Sequence, residues 1–178
     1  MSFEHKAFAF DYRSFIGELK PLLEKALAEN DIDSLKSFID ENLPLLKDPY
    51  EGNSLDDSWE DMIEAKEVHQ YGDFAITKYY DPAADIGLGY EWENIQKLLL
   101  KESPSLASNV LGFPIGIAPN YFDPGKMGSY FQTPELVKNN IEVLCKLLEE
   151  KGAEVSKLFP LFEMLKKIEL DEGLYITF

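Results

Sequence analysis

The sequence predicts an α+β fold, predominantly helical, in a single acidic domain over residues 1–178, with a small antiparallel sheet of short strands. Three observations carry this expectation. Apolar residues recur at helical spacing through most of the chain, runs of β-formers are few and short, and turn residues separate the two. At 178 residues the chain can bury roughly 70% of the surface exposed when unfolded, so its core needs no staples. Its 45% apolar and 13% aromatic content exceeds what a disordered acidic chain carries. No fixed-period repeat, low-complexity tract or composition shift marks a second domain.

Taken in order, Lys6 to Phe10 alternate with Phe8 and Phe10 on one side, which predicts a first strand ending at a possible N-cap, Asp11. Residues Tyr12 to Glu29 keep helical spacing through Phe15, Leu19, Leu23 and Leu27, and Pro21 predicts a kink or a new helix start. A helix from Asp33 to Leu43 ends before Pro44. Ser54 with Asp57 reads as a variant capping box opening a helix to about Val68, closed by Gly72. Asp73 to Tyr80 is rich in β-formers and reads as a second strand. A helix follows from about Glu91 to Lys101. Thr133-Pro134-Glu135 opens another with a threonine cap, proline in the first turn and an acid behind it, and Gly152 closes it. A further helical stretch runs from Glu154 to Lys167, and Leu174 to Phe178 is the last strand. Trp59, Ile63, Leu136, Leu144 and Leu147 are expected in one core.

Charge is the most specific property. Thirty-three acids against seventeen bases give a net −16, and Asp48 to Glu67 alone holds eight acids against one base, Lys66. Such a field repels nucleic acid and anionic membranes and attracts basic partners. Only one of the basic residues, Arg13, is an arginine, which disfavours phosphate recognition. On the expected helix, Asp57, Glu60, Asp61 and Glu64 stand at i, i+3, i+4 and i+7 and share a face. That face is either a solvated surface or a site for a basic protein; the like charges at 57/61 and 60/64 cost a few tenths of a kcal/mol each.

Catalytic constellations are missing. No calcium-loop spacing follows Asp48, and His5, His69 and Cys145 stand too far apart in sequence to suggest a zinc site, so neither metal nor cofactor is expected. No nucleophile elbow or phosphate loop is present. His69 reads as a cation at a helix C-terminus and Cys145 as a small core residue in an apolar stripe. The lone cysteine excludes an intrachain disulfide; no leader or apolar run of membrane-spanning length is visible, and cytoplasm is expected.

Gly112 to Phe131 combines turn chemistry with aromatic residues that a plain connector does not need. Asp123-Pro124-Gly125-Lys126 fits a type II turn. Tyr121, Phe122 and Tyr130 are candidate partner contacts, as interface anchors are often aromatic. The alternative to partner binding is a small-molecule or enzymatic pocket formed by this loop.

In size and charge over the whole chain, the protein resembles the immunity proteins of bacterial toxin secretion systems, which are small, acidic and cytoplasmic. The resemblance implies a non-enzymatic inhibitor and a toxin partner, and carries no residue assignment.

Overall fold

The computed structural model describes residues 3–178. In chain order it forms β1 (Lys6–Phe10), α1 (Tyr12–Glu18), α2 (Lys20–Glu29), α3 (Ile32–Asn42), α4 (Val68–Ile76), α5 (Trp92–Glu102), α6 (Pro104–Leu111), β2 (Gly116–Ile117), β3 (Asn120–Tyr121), β4 (Ser129–Gln132), α7 (Pro134–Lys151), α8 (Phe159–Lys166) and β5 (Gly173–Thr177). Short 3-10 turns occupy Leu43–Leu45, Trp59–Met62, Thr77–Tyr79 and Gly152–Leu158. The fold is α+β and mostly helical, with a small sheet in the order β1-β5-β4. Backbone contacts divide the described residues into two compact units, one of residues 3–12, 86–113 and 130–178, the other of residues 13–85 and 114–129.

In the first unit, β1 and β5 run antiparallel with Lys6 opposite Thr177 and Phe10 opposite Gly173. Side chains alternate across the pleat. Phe10, Phe131 and Tyr175 therefore meet on one face, with Phe131 and Tyr175 stacked at 4.9 Å. Ala7, Leu174 and Ile176 stand on the other and join Leu99, Val110, Val137, Leu144, Leu161 and Leu165 in an aliphatic core. Each leucine, isoleucine or valine among them, fully buried, contributes about 1.5–3 kcal/mol of transfer free energy. The Thr133 hydroxyl accepts from the Leu136 N–H at 3.1 Å and caps α7 as its sequence predicts. Inside the core, Asn140 donates to Gln132 Oε1 (2.9 Å) and to the Asn109 carbonyl (3.0 Å), while Gln132 donates to the Val110 carbonyl.

Three readings in this unit need correction. Residues 104–111 form a helix beyond those expected, with Pro104 in its first turn and Leu106, Ala107 and Val110 buried. Cys145 is half-exposed, because α7 turns Val137, Asn140, Leu144 and Leu147 inward and leaves position 145 beside them, its Sγ 3.6 Å from Glu149 Oε1. The expected single core is also divided: Leu144 and Leu147 are buried here, Trp59 lies in the other unit, and Ile63 and Leu136 are only half-buried.

In the second unit, α1 ends at Glu18 and α2 begins at Lys20 with Pro21 in its first turn, which resolves the predicted kink into two helices. Asp31 caps α3 through the Ser34 N–H at 3.2 Å. The predicted strand at Asp73 to Tyr80 is instead the end of α4 followed by the Thr77–Tyr79 turn. Val68, Tyr71, Phe74, Ala75 and Ile76 are all buried there, and a helix hidden on most sides reads as a continuous apolar run that periodicity cannot tell from a strand. The third strand of the sheet is β4, not this segment. Gly72 does not stop a helix either. It lies inside α4, where a Cβ would come within 2.7 Å of the Phe122 ring and 3.0 Å of Leu23.

The capping-box helix at Ser54 to Val68 does not form. Asp56 turns back to accept from the Ser58 N–H (2.9 Å) and hydroxyl (2.6 Å), and Ala65 N–H donates to Gln70 Oε1, so local side-chain bonds replace helical ones. Only Trp59–Met62 winds into a 3-10 turn, anchored by buried Trp59, whose Nε1 donates to Asp40 at 3.0 Å.

Candidate functional site

Asp57, Glu60, Asp61 and Glu64 are all exposed, as predicted, but they sit on an irregular strip instead of one helical face. Glu60 is held by Lys36 at 2.6 Å; among the described residues no ion pair reaches Asp57, Asp61 or Glu64. The irregular path and the exposure separate these carboxylates in water and relieve the i, i+4 repulsion that a helix would impose. The unit that carries them holds nineteen acids and eight bases, net −11.

The three aromatic candidates fare differently. Tyr121 is 41% exposed on the β2–β3 hairpin, a surface position. Phe122 is fully buried, packed on Gly72 and stacked with His69 at 6.3 Å, so it is a core residue and not a partner contact. Tyr130 is half-buried, lies in the other unit and packs edge-on against Phe178 at 6.2 Å. Tyr121 and Phe122 thus differ in exposure, and Tyr130 belongs to the first unit.

Loop geometry explains the division. Phe113 and Phe131 bridge through a pair of backbone hydrogen bonds (3.0 and 2.9 Å), and Gly112 has φ 85° with its Cα against the Phe131 carbonyl, where a side chain would collide. Beyond it, β2 and β3 pair around a cis Ala118–Pro119 bond. The Asp123 turn is not the expected type II. Positive φ falls on Lys126 (59°) rather than on Gly125, because Asp123 Oδ1 accepts from both Met127 and Gly128 N–H and draws the chain one residue further before it reverses.

His69 is the second residue of α4, at the positive end of its dipole, and not a C-terminal cation. Its Nδ1 accepts the Asp123 N–H at 3.1 Å, which leaves the proton of the neutral ring on Nε2. In this way the turn and α4 are tied together.

Sequence reasoning missed two features. The first is a buried pair of carboxylates, Asp48 and Asp73, with Tyr50 between loop and helix. Burial, and then the Asp48 charge, push the Asp73 carboxyl up to about 7, against the opposing pull of a hydrogen bond from Tyr50. An acid directly before the apolar run Phe74-Ala75-Ile76 was its only signal. The second is a groove along α2. Leu27 and Ala28 face Gly116, Ile117 and Ala118 of the hairpin across a hollow of about 370 Å³. A neighbouring hollow of about 350 Å³ is lined by Leu27, Asn30, Glu67, Val68 and His69.

Among the described residues, no group of three or more His, Cys, Asp or Glu is placed to hold a metal ion, and no helix is long and apolar enough to cross a membrane. No protein-family model matches the chain, and neither a curated protein nor a solved structure shows significant similarity to it.

Proposed function

We propose that this is a non-enzymatic binding protein that receives a basic protein partner on the acidic unit of residues 13–85 and 114–129. The observation that carries the reading is the open strip Asp57, Asp61 and Glu64, exposed and without ion pairs among the described residues, on a unit of net −11. Concentrated exposed charge raises association rates more than it deepens affinity, which suits an inhibitor that must reach its target fast. A bacterial toxin, of the kind that immunity proteins neutralise in the cytoplasm, is the partner we put first. The alternative, a small-molecule or enzymatic pocket under the Gly112 to Phe131 loop, has the α2 hollow in its favour. That hollow offers only Glu24 and Asn120 as polar side chains, and Glu24 is engaged by Lys20 at 2.8 Å.

The test is affinity capture with the intact protein, followed by stopped-flow association of the captured partner at rising salt. Association should slow steeply as salt rises, and the Asp57→Lys, Asp61→Lys double variant should bind more slowly with an unchanged fold. An association rate indifferent to salt refutes the reading.

A further inference from the structure

We infer that the groove along α2 holds an extended segment of the basic partner, with an aliphatic side chain over Leu27 and Ile117 and a lysine or arginine against Glu67. This rests on the reading of a basic partner given above and adds where, and by which chemistry, that partner is gripped.

The two hollows share Leu27, Ala28 and Asn120, so they form one trough whose ends differ. One end is apolar, walled by Ala118 and by Ile117, which is 82% exposed at the hairpin. An isolated exposed isoleucine is ordinary; one at the rim of an apolar hollow is a ready contact. The other end is polar, with Asn30, Asn120 and the His69 imidazole supplying donors and acceptors of the sort a peptide backbone needs. There Glu67 is half-buried, and among the described residues no ion pair reaches it, whereas Glu24 already has Lys20. A carboxylate partly withdrawn from water attracts a cation more strongly than the fully exposed acids of the strip.

Charge argues against anionic occupants. No lysine or arginine lines either hollow, so phosphate or carboxylate ligands find no counter-charge. A second copy of the chain brings another net −16 and is repelled. Since β2 and β3 are two residues each, main-chain strand addition has little to pair with, and recognition must come from side chains.

The experiment follows amide chemical shifts of the intact protein titrated with two probes, an acetylated, amidated hexapeptide alternating leucine and lysine, and acetyl-hexalysine amide. The alternating peptide should produce saturable shifts at Ala28, Ile117 and Asn120 and bind more tightly than hexalysine. Glu67→Gln should weaken it about fivefold, the upper end of what an accessible ion pair contributes. Ile117→Ser, at an exposed position that leaves folding intact, should weaken the alternating peptide and not hexalysine. Equal affinity for both peptides, with shifts confined to Asp56 through Glu64, overturns the groove and leaves the acidic strip as the docking site. If neither peptide shifts either region, both the groove and the basic-partner reading fall.

Discussion

The first unit packs aliphatic side chains of α5, α6, α7 and α8 against one sheet face and carries fourteen acids against nine bases, net −5; the second packs Phe15, Trp59, Tyr71, Phe74 and Phe122 and carries net −11. Aliphatic stripes on long helices need only regular spacing, and they tolerate a modest charge on the opposite face. The second unit also buries rings from its irregular segments, Trp59 and Phe122, whose packing depends on particular rings meeting particular gaps, such as Phe122 over Gly72. It also supports twice the excess charge of its neighbour, at a cost in self-repulsion that packing does not require. The contrast sets the regular helical packing in one unit and the larger excess of exposed charge in the other.

Truncation in each core tests this contrast most severely. Phe122→Ala should cost about 3–5 kcal/mol, since the buried ring fills the space over Gly72 and behind His69. Denaturant unfolding reads it directly; a loss under 1 kcal/mol would restore Phe122 as a free surface contact. Leu144→Ala should cost about 2–5 kcal/mol by the same measurement. A value near zero there would mean that α7 does not anchor the aliphatic core.

A smaller effect, of opposite sign, is expected at Asp73. Its folded-state value of about 7 lies above the ~3.9 of an unfolded aspartate, so the folded state binds the extra proton between those values. The stabilisation this proton brings is complete below about pH 4 and is lost as pH rises through 7. Asp73→Asn keeps an oxygen for Tyr50 and removes the charge, and should raise stability at pH 8 by on the order of 2 kcal/mol while changing little at pH 4. Melting temperatures across that range decide it: equal pH profiles for variant and parent would show that Asp73 does not titrate between them.

The least effect on stability should come from the strip. Asp57→Asn with Asp61→Asn should shift unfolding by no more than about 0.5 kcal/mol, because neither side chain touches the core. A larger loss would show that the strip supports the fold.

These differences explain how far the sequence could be read. Helix α7 announces itself through Thr133, Pro134 and Gly152, all local signals, β1 through a short alternating run and β5 through a run of β-formers after a turn. The second unit resisted. Whether Asp73 to Tyr80 winds or extends is decided by burial on every side, and the strip at Asp56 to Glu64 is decided by an aspartate bonding its own backbone against a helix that periodicity favours. The acids of the strip were legible from charge alone, and their exposure followed. The groove was not, because Leu27 of α2 and Ile117 of the hairpin are brought together only by the fold, and nothing near either residue in sequence marks the other.

The pairing of Lys6 with Thr177 has a consequence in time. During synthesis β5 follows its partner β1 by about 165 residues. At roughly 5–20 residues per second, that leaves Phe8 and Phe10 without their strand for on the order of ten to thirty seconds. Over that interval the nascent chain carries an unpaired, aromatic strand edge, while α2, α3 and α4 are already available to pack.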